Sequence, residues 1–409
     1  MRQSLINDEC RAELSGVRFL VGDIERLGNV GNIPPMTPFA DGVLAFLNDL
    51  SAKLMSDSNA RLYPDIVTLG FWLRKASLLK LRERYEKKDG NIHQGRGILF
   101  HIAPSNVPVN YAYSLFSGLL MGNINIVRIP SKDFPQVGII NGAINETLRS
   151  HQFLTDYIYL VRYGREKTVN DFFSAIADVR IIWGGDATID EIRKSPLSPR
   201  AMEVTFADRY SLAIIDSDKY IGLDNKARFA EKFYNDTYLT DQNACTSPRI
   251  VVWLGNSIVK AKEEFWSSLH ALVKEKYKLQ PVIGVNKLTS AYIAAATRDG
   301  VRIAPHEDNY LMRVDVTSLD AGIMDLKDNS GYFFEYECGN ITEIRSLCDD
   351  NRCQTIGFLG EKDMLMPLLE SGVRGVDRVV PIGATMDFDL IWDGYDLYER
   401  FTRTISMTI

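Results

Sequence analysis

Cys245 stands out by its neighbours. It lies among small polar residues in Asp241-Gln242-Asn243-Ala244-Cys245-Thr246-Ser247-Pro248-Arg249, just before the apolar run 250–254. A thiolate is the nucleophilic form, and an ordinary thiol with a pKa of about 8.5 needs help to ionise at neutral pH. The same residue type also serves as an inert filler of cores. Three other segments offer partner chemistry. Asn106, in Ala103-Pro104-Ser105-Asn106-Val107-Pro108, carries an amide able to donate to an oxyanion, and also suits an Asx turn. Arg128, Ser131 and Lys132 bring two cations and a hydroxyl, fit for a phosphate or ribose and equally for a solvated loop. Gly184 and Gly185 let backbone approach a dinucleotide where a helix begins, and Asp186 is placed to cap that helix. No Gly-x-Gly-x-x-Gly fingerprint accompanies them. A thiol, an amide donor and a cofactor turn together suit thioester or thiohemiacetal chemistry, with a nicotinamide supplying hydride.

These loops need elements to hold them. Apolar spacing predicts amphipathic helices over 43–55 and 70–88, the second closing in a mixed Lys/Arg/Glu run that reads as a solvated face. From residue 97 the pattern alternates. Strands are expected at 97–103, 124–129, 157–161 and 179–183, with helices at 111–121, 134–149, 169–177 and 189–194. A second alternation runs through a strand at 211–216, a helix at 225–239, a strand at 250–254 and a helix at 258–277. Weaker strand signals follow at 311–316, 331–336 and 377–381. Strands alternating with helices predict parallel sheets covered on both faces, with ligands beyond the strands' carboxyl ends.

Composition narrows the classes. A chain of 409 residues, 45% apolar and 24% charged, is that of an ordinary globular protein of two joined domains. Its net charge of −6 gives no global field toward nucleic acid or an anionic membrane. No apolar run is long enough for a membrane span, and no secretory signal opens the chain, so a cytoplasmic location is expected. Five sparse cysteines form no disulfide framework, and neither they nor the five histidines show a metal-binding pattern.

Several segments together resemble the acyl-CoA reductase family typified by the fatty-acid reductase component of bacterial luminescence, a branch of the aldehyde dehydrogenase superfamily. They are 101–108, 122–132, Cys245-Thr246-Ser247-Pro248, Cys353-Gln354-Thr355-Ile356-Gly357, 377–383 and Trp392-Asp393-Gly394-Tyr395-Asp396. The resemblance runs from about residue 95 onward; the first hundred residues match poorly. It implies an α/β fold of two interleaved parallel-sheet lobes with a small oligomerisation extension. Residues 1–210 would bind the dinucleotide and 211–385 would carry the thiol. Residues 386–409 would return to the first lobe or to an oligomer interface.

The resemblance further implies that Cys245 accepts the acyl group and that Asn106, with the Cys245 N–H, forms the oxyanion hole. Ser105, Arg128, Ser131, Lys132, Gly184 and Gly185 would contact the cofactor. Glu337 or Glu335 would bind its ribose. Ser131 stands where NAD-preferring members often carry a glutamate, which favours NADPH. The substrate would be an acyl thioester, on CoA or on a partner protein such as an acyl-protein synthetase, and the assembly a homo-oligomer.

One departure bears on direction. Aldehyde-oxidising members place a glutamate base in a segment that here reads Phe206-Ala207-Asp208-Arg209-Tyr210-Ser211. A base that activates water would hydrolyse the thioester, so its absence favours reduction of an acyl thioester to an aldehyde. Asp208 and Glu203 are the substitutes to consider. The alternatives are oxidation of an aldehyde to an acid, and a non-catalytic acyl-binding subunit of a larger complex.

Overall fold

The computed structural model describes residues 6–104, 107–305 and 307–408. The chain divides into two compact units, Met1–Ala207 with Asp389–Ile409, and Asp208–Phe388.

The first unit is built on β1 (Arg18–Val21), β3 (Ile98–Ile102), β4 (Ile124–Arg128), β5 (Ile158–Arg162), β6 (Val179–Trp183) and β7 (Met202–Phe206), with β2 (Ile92–Gly95) outside that sheet. Its sheet has the order β1-β5-β4-β3-β6-β7. Only the β1 edge is antiparallel. Helices α1 (Asp41–Ser56), α2 (Pro64–Trp72), α3 (Lys75–Tyr85), α4 (Asn110–Leu120), α5 (Pro135–Leu148), α6 (Lys167–Ile176) and α7 (Asp186–Arg193) belong to the same unit. Chain connections leave β3 toward β4 and β5, then cross back to β6 on its other side. The carboxyl ends of β3 and β6 therefore flank a topological switch point, where such sheets open a crevice for ligands.

The single helix expected over 70–88 is two. Leu73 is fully buried, and Arg74 is extended (φ −60°, ψ 141°), which ends α2 and starts α3 in a new direction. The charged run behaves as a solvated face, with Arg82 bonded to Glu86 and Asp41.

The second unit carries β8 (Tyr210–Asp216), β9 (Pro248–Leu254), β10 (Arg302–Ile303), β11 (Met312–Asp315), β12 (Tyr332–Glu337), β13 (Cys353–Leu359) and β14 (Arg378–Pro381). Their order is β10-β11-β12-β9-β8-β13-β14, parallel except at β10. Strand β9 lies inside this sheet, and all seven of its residues are buried, as expected of a parallel strand covered on both faces. Alternate residues split between two cores. Leu212, Ile214, Ile250, Val252, Phe334 and Ile356 face one way. Ala213, Ile215, Val251, Trp253 and Phe333 face the other, against α8 (Lys226–Thr237) and α9 (Ile258–Lys276). Helix α10 (Pro281–Thr297) completes the set used below.

The chain then returns to the first unit. An Asp393-Gly394 turn, with positive φ at both residues, joins β15 (Ile391–Trp392) to β16 (Tyr395–Asp396). Finally β17 (Thr402–Ile405) pairs antiparallel with β2. No helix among the described residues is long and apolar enough to cross a membrane.

Candidate active site

The thiol loop lies at the amino end of β9. Helix α8 ends in the turn Tyr238–Thr240, and the next two residues, Asp241 and Gln242, take left-handed backbone (φ 51° and 58°). Non-glycine residues pay for that conformation in strain, which survives only where neighbours fix it. Gln242 supplies the fixing. Its buried amide donates to the Pro248 and Tyr332 carbonyls (2.9 and 3.0 Å) and accepts from the Gly331 and Tyr332 N–H groups (2.9 and 3.1 Å). Cys245 follows, half-buried, between buried Ala244 and Thr246. Its carbonyl accepts from the Ser211 hydroxyl at 2.8 Å, and Ser211 Oγ in turn accepts the Thr355 N–H at 3.2 Å. Ser211 thus ties the loop to β8 and β13 together.

A cation sits beside the thiol. The buried Arg249 guanidinium donates to the Asp328 and Gln242 carbonyls and to Asn329 Oδ1, each at 2.7 Å. Burial lowers its pKa, while the charges of Asp208, Cys245 and Asp328 oppose that shift. A neighbouring guanidinium is the kind of surrounding that favours a thiolate. Asn329 also donates to Asn243 Oδ1 at 2.8 Å, so the 328–331 turn grips the loop along its length. On the other flank, Met386 sulfur accepts from the Thr246 hydroxyl at 3.1 Å. Asp236 anchors that segment by accepting from the Gly383 and Thr385 N–H groups (2.6 and 3.1 Å). Burial pushes the Asp236 carboxyl up to about 6 despite those bonds.

The other acids considered make ion pairs. Glu203 binds Arg180 and Arg193, at 2.5 and 2.8 Å. Asp208 is exposed and lies 3.3 Å from Lys327. Phe206, at the end of β7, stacks on Trp183 with ring centres 3.7 Å apart.

Glu335 and Glu337, the two glutamates expected at the cofactor ribose, both lie on β12. Parallel pairing sets Glu335 beside Val251 and Glu337 beside Trp253, toward the carboxyl end of β9, whereas Cys245 precedes its amino end. Glu335 is buried and accepts from the Trp253 and Trp266 indoles at 2.9 and 2.6 Å. Glu337 is half-exposed and pairs with Lys262 at 3.0 Å. The acid that the strand order does bring to the thiol end is Asp328, ahead of β12, which the sequence pattern gave no reason to choose.

In the first unit, the cofactor candidates lie after the carboxyl ends of β4 and β6, the two strands that flank β3. Ser131 and Lys132 follow β4 and are exposed. Arg128 turns toward β5, where it bonds the Gly164 carbonyl and lies 4.6 Å over the Tyr163 ring. Gly184 and Gly185 follow β6; a side chain on Gly185 would meet nothing within 4 Å, while one on Gly184 would press on Thr188 at 3.1 Å. Asp186 makes no cap: Gly185 holds the capping position of α7, with no side-chain hydrogen bond. The open approach at Gly185, with a hydroxyl and an ammonium after β4 on the far side of β3, fits a dinucleotide. Ser105 and Asn106 lie outside the described residues.

Beneath these loops, buried His101 is locked in the core. Its Nε2 donates to Asn125 Oδ1 (3.1 Å), because the Asn125 amide nitrogen is itself a donor to the Asn123 carbonyl, and its Nδ1 pairs with the Ser114 hydroxyl (2.7 Å). Ser114 also accepts the Trp183 indole N–H at 3.0 Å. Burial pushes the imidazole down to about 3, so it stays neutral and structural.

The architecture is that of the aldehyde dehydrogenases. The lactaldehyde dehydrogenase of Escherichia coli superposes with a TM-score of 0.57 at 13% identity, covering 89% of this chain and 83% of that one. Aldehyde dehydrogenase 21 from Physcomitrella patens gives 0.63 at 11% identity, covering 92% and 87%. The sequence model of the acyl-CoA reductase (LuxC) family matches residues 74–304, and the chain belongs to that family. The long-chain acyl-protein thioester reductase of Aliivibrio fischeri is 23% identical over 298 residues, 71% of this chain and 59% of the relative. Its counterpart in Vibrio harveyi is 20% identical over 315 residues, 76% and 64%. The chain thus spans under two thirds of the length of either relative.

Proposed function

We propose that the chain reduces an acyl thioester to an aldehyde through an acyl-Cys245 intermediate, with NADPH as reductant. The observation that carries this reading is the half-buried thiol on a loop fixed by Ser211 and Gln242 beside the Arg249 guanidinium. The Cys245 thiolate attacks the thioester carbonyl; a new C–S bond forms and the donor thiolate leaves. Asn106 and the Cys245 N–H hold the developing oxyanion. Ser131, Lys132 and the 184–185 turn hold the dinucleotide, and the hydroxyl at 131 leaves room for a 2′-phosphate that a carboxylate would repel. A bound NADPH supplies the hydride that releases the acyl group as aldehyde and restores the thiolate. Commitment of Glu203 to two arginines and the aromatic stack at Phe206 support reduction over hydrolysis.

The relatives' names point to an acylated protein as donor, and CoA thioesters are the small-molecule form of the same chemistry. The test supplies acyl-CoAs of graded length and an acylated protein, each with NADPH or NADH, and follows nicotinamide consumption and aldehyde. Turnover that vanishes in Cys245→Ala supports the proposal. Acid formation from free aldehyde without any thiol acceptor would favour the oxidising direction instead, and failure both to bind nicotinamide and to turn over any thioester would leave only an acyl-binding role.

A further inference from the structure

We infer that Lys287, buried beneath the 328–331 turn, is a positioning residue for Cys245. The inference rests on the reading of Cys245 as the nucleophile. Lys287 is the sole charged residue of α10, and it is fully buried. Among the described residues its ammonium forms no ion pair with a carboxylate. It donates to backbone carbonyls: Asn309 at 2.5 Å, Ser330 at 2.7 Å and Tyr310 at 3.5 Å.

Ser330 links the lysine to the thiol loop. It takes left-handed backbone (φ 56°) without being glycine, and the lysine fixes its carbonyl. From that turn, the Ser330 N–H reaches the Asp241 carbonyl at 3.0 Å, and the Gly331 N–H reaches Gln242 Oε1. The Asp328 carbonyl and Asn329 Oδ1 take the Arg249 guanidinium. One buried cation therefore closes the turn that holds both the strained loop and the cation beside the thiol. A charge buried on neutral carbonyls is costly and adds little to a core, so its place under this turn points to a positional role.

The groups around it are few. Asp328 accepts from Ser290 of α10 at 2.7 Å, and Asp308 pairs with His270 at 3.0 Å; both raise the lysine's pKa against the burial that lowers it to about 8. The Tyr277 hydroxyl reaches Ser330 Oγ at 3.0 Å, and the Tyr238 hydroxyl reaches the Tyr310 carbonyl at 3.0 Å.

The experiment compares the full chain with Lys287→Met by alkylation with iodoacetamide, each cysteine followed by peptide mass spectrometry. It needs neither substrate nor cofactor, so a chain that reduces no thioester still gives a clear answer. Release of the turn moves the guanidinium from the thiol, so Cys245 should react about tenfold more slowly near about pH 7, with the two proteins converging near about pH 10 where either thiol is ionised. Buried Cys338, Cys348 and Cys353 should stay unreactive in both. Adding Ser330→Gly, which accepts a positive φ without strain, should restore much of the Cys245 rate. Equal rates in wild type and Lys287→Met would overturn the inference. Should Lys287→Met expose the buried thiols, the double variant decides: folding with a restored Cys245 rate supports the role, and failure to fold assigns Lys287 to the lobe as a whole and overturns it.

Discussion

Ser211 shows how much one hydroxyl can carry. It accepts from Thr355 on β13 and donates to the Cys245 carbonyl, so the loop's position depends on an atom 34 residues away in sequence. Ser211→Ala leaves a buried N–H and a carbonyl without that partner, a loss of about 1–3 kcal/mol. Urea unfolding should show the loss, and turnover should fall with it while the fold persists. Asp236 gives a prediction in pH. Its folded pKa of about 6 lies above the ordinary aspartate value, so the folded state holds the proton more tightly than the unfolded chain. Its stabilising contribution is full below about pH 4 and is lost as pH rises through about 6. Asp236→Asn should flatten the stability curve across that interval, as read by unfolding midpoints from acid to neutral pH.

At the scale of elements, the thiol loop depends on packed neighbours more than on its own residues. Gln242→Ala removes four amide hydrogen bonds from a residue already in left-handed backbone. A loss of roughly 3 kcal/mol is expected, measurable by denaturant titration. The alternating strands and helices of both units were legible because fully buried parallel strands read as apolar runs. Helix α10 was not legible: Val282, Val285, Tyr292 and Ile293 are exposed while Ala291 and Ala294 are buried, so no apolar face marks its period. Strand β13 hid behind buried polar Gln354 and Thr355. At the site, Cys245 announced itself by its setting, but Ser211, Lys287, Asp328 and Met386 are scattered through the chain and meet only through the strand order. Glu335 and Glu337 read alike in the sequence, yet on β12 one is buried against two indoles and the other pairs with Lys262.

For the molecule as a whole, the second unit is one continuous stretch and the first is two pieces. Leu397, Tyr398 and Phe401 are buried in the first unit, and β17 supplies β2 with its partner. Removing 397–409 deletes those side chains and uncovers the apolar surface they pack against, at about 2–3 kcal/mol each. The first unit should then melt well before the second, seen as two transitions by calorimetry, while the isolated segment 208–388 should retain its own cooperative transition.

That discontinuity sets an order of events during synthesis. When residue 388 has cleared the ribosome, every strand of the thiol-bearing sheet is available to pair. The earlier-made unit has its own sheet complete but must still wait for the ribbon partner of β2, encoded more than 300 residues downstream. The nascent chain therefore has its nucleophile framed before the older half is sealed, and whatever assists its maturation must shield the part translated first.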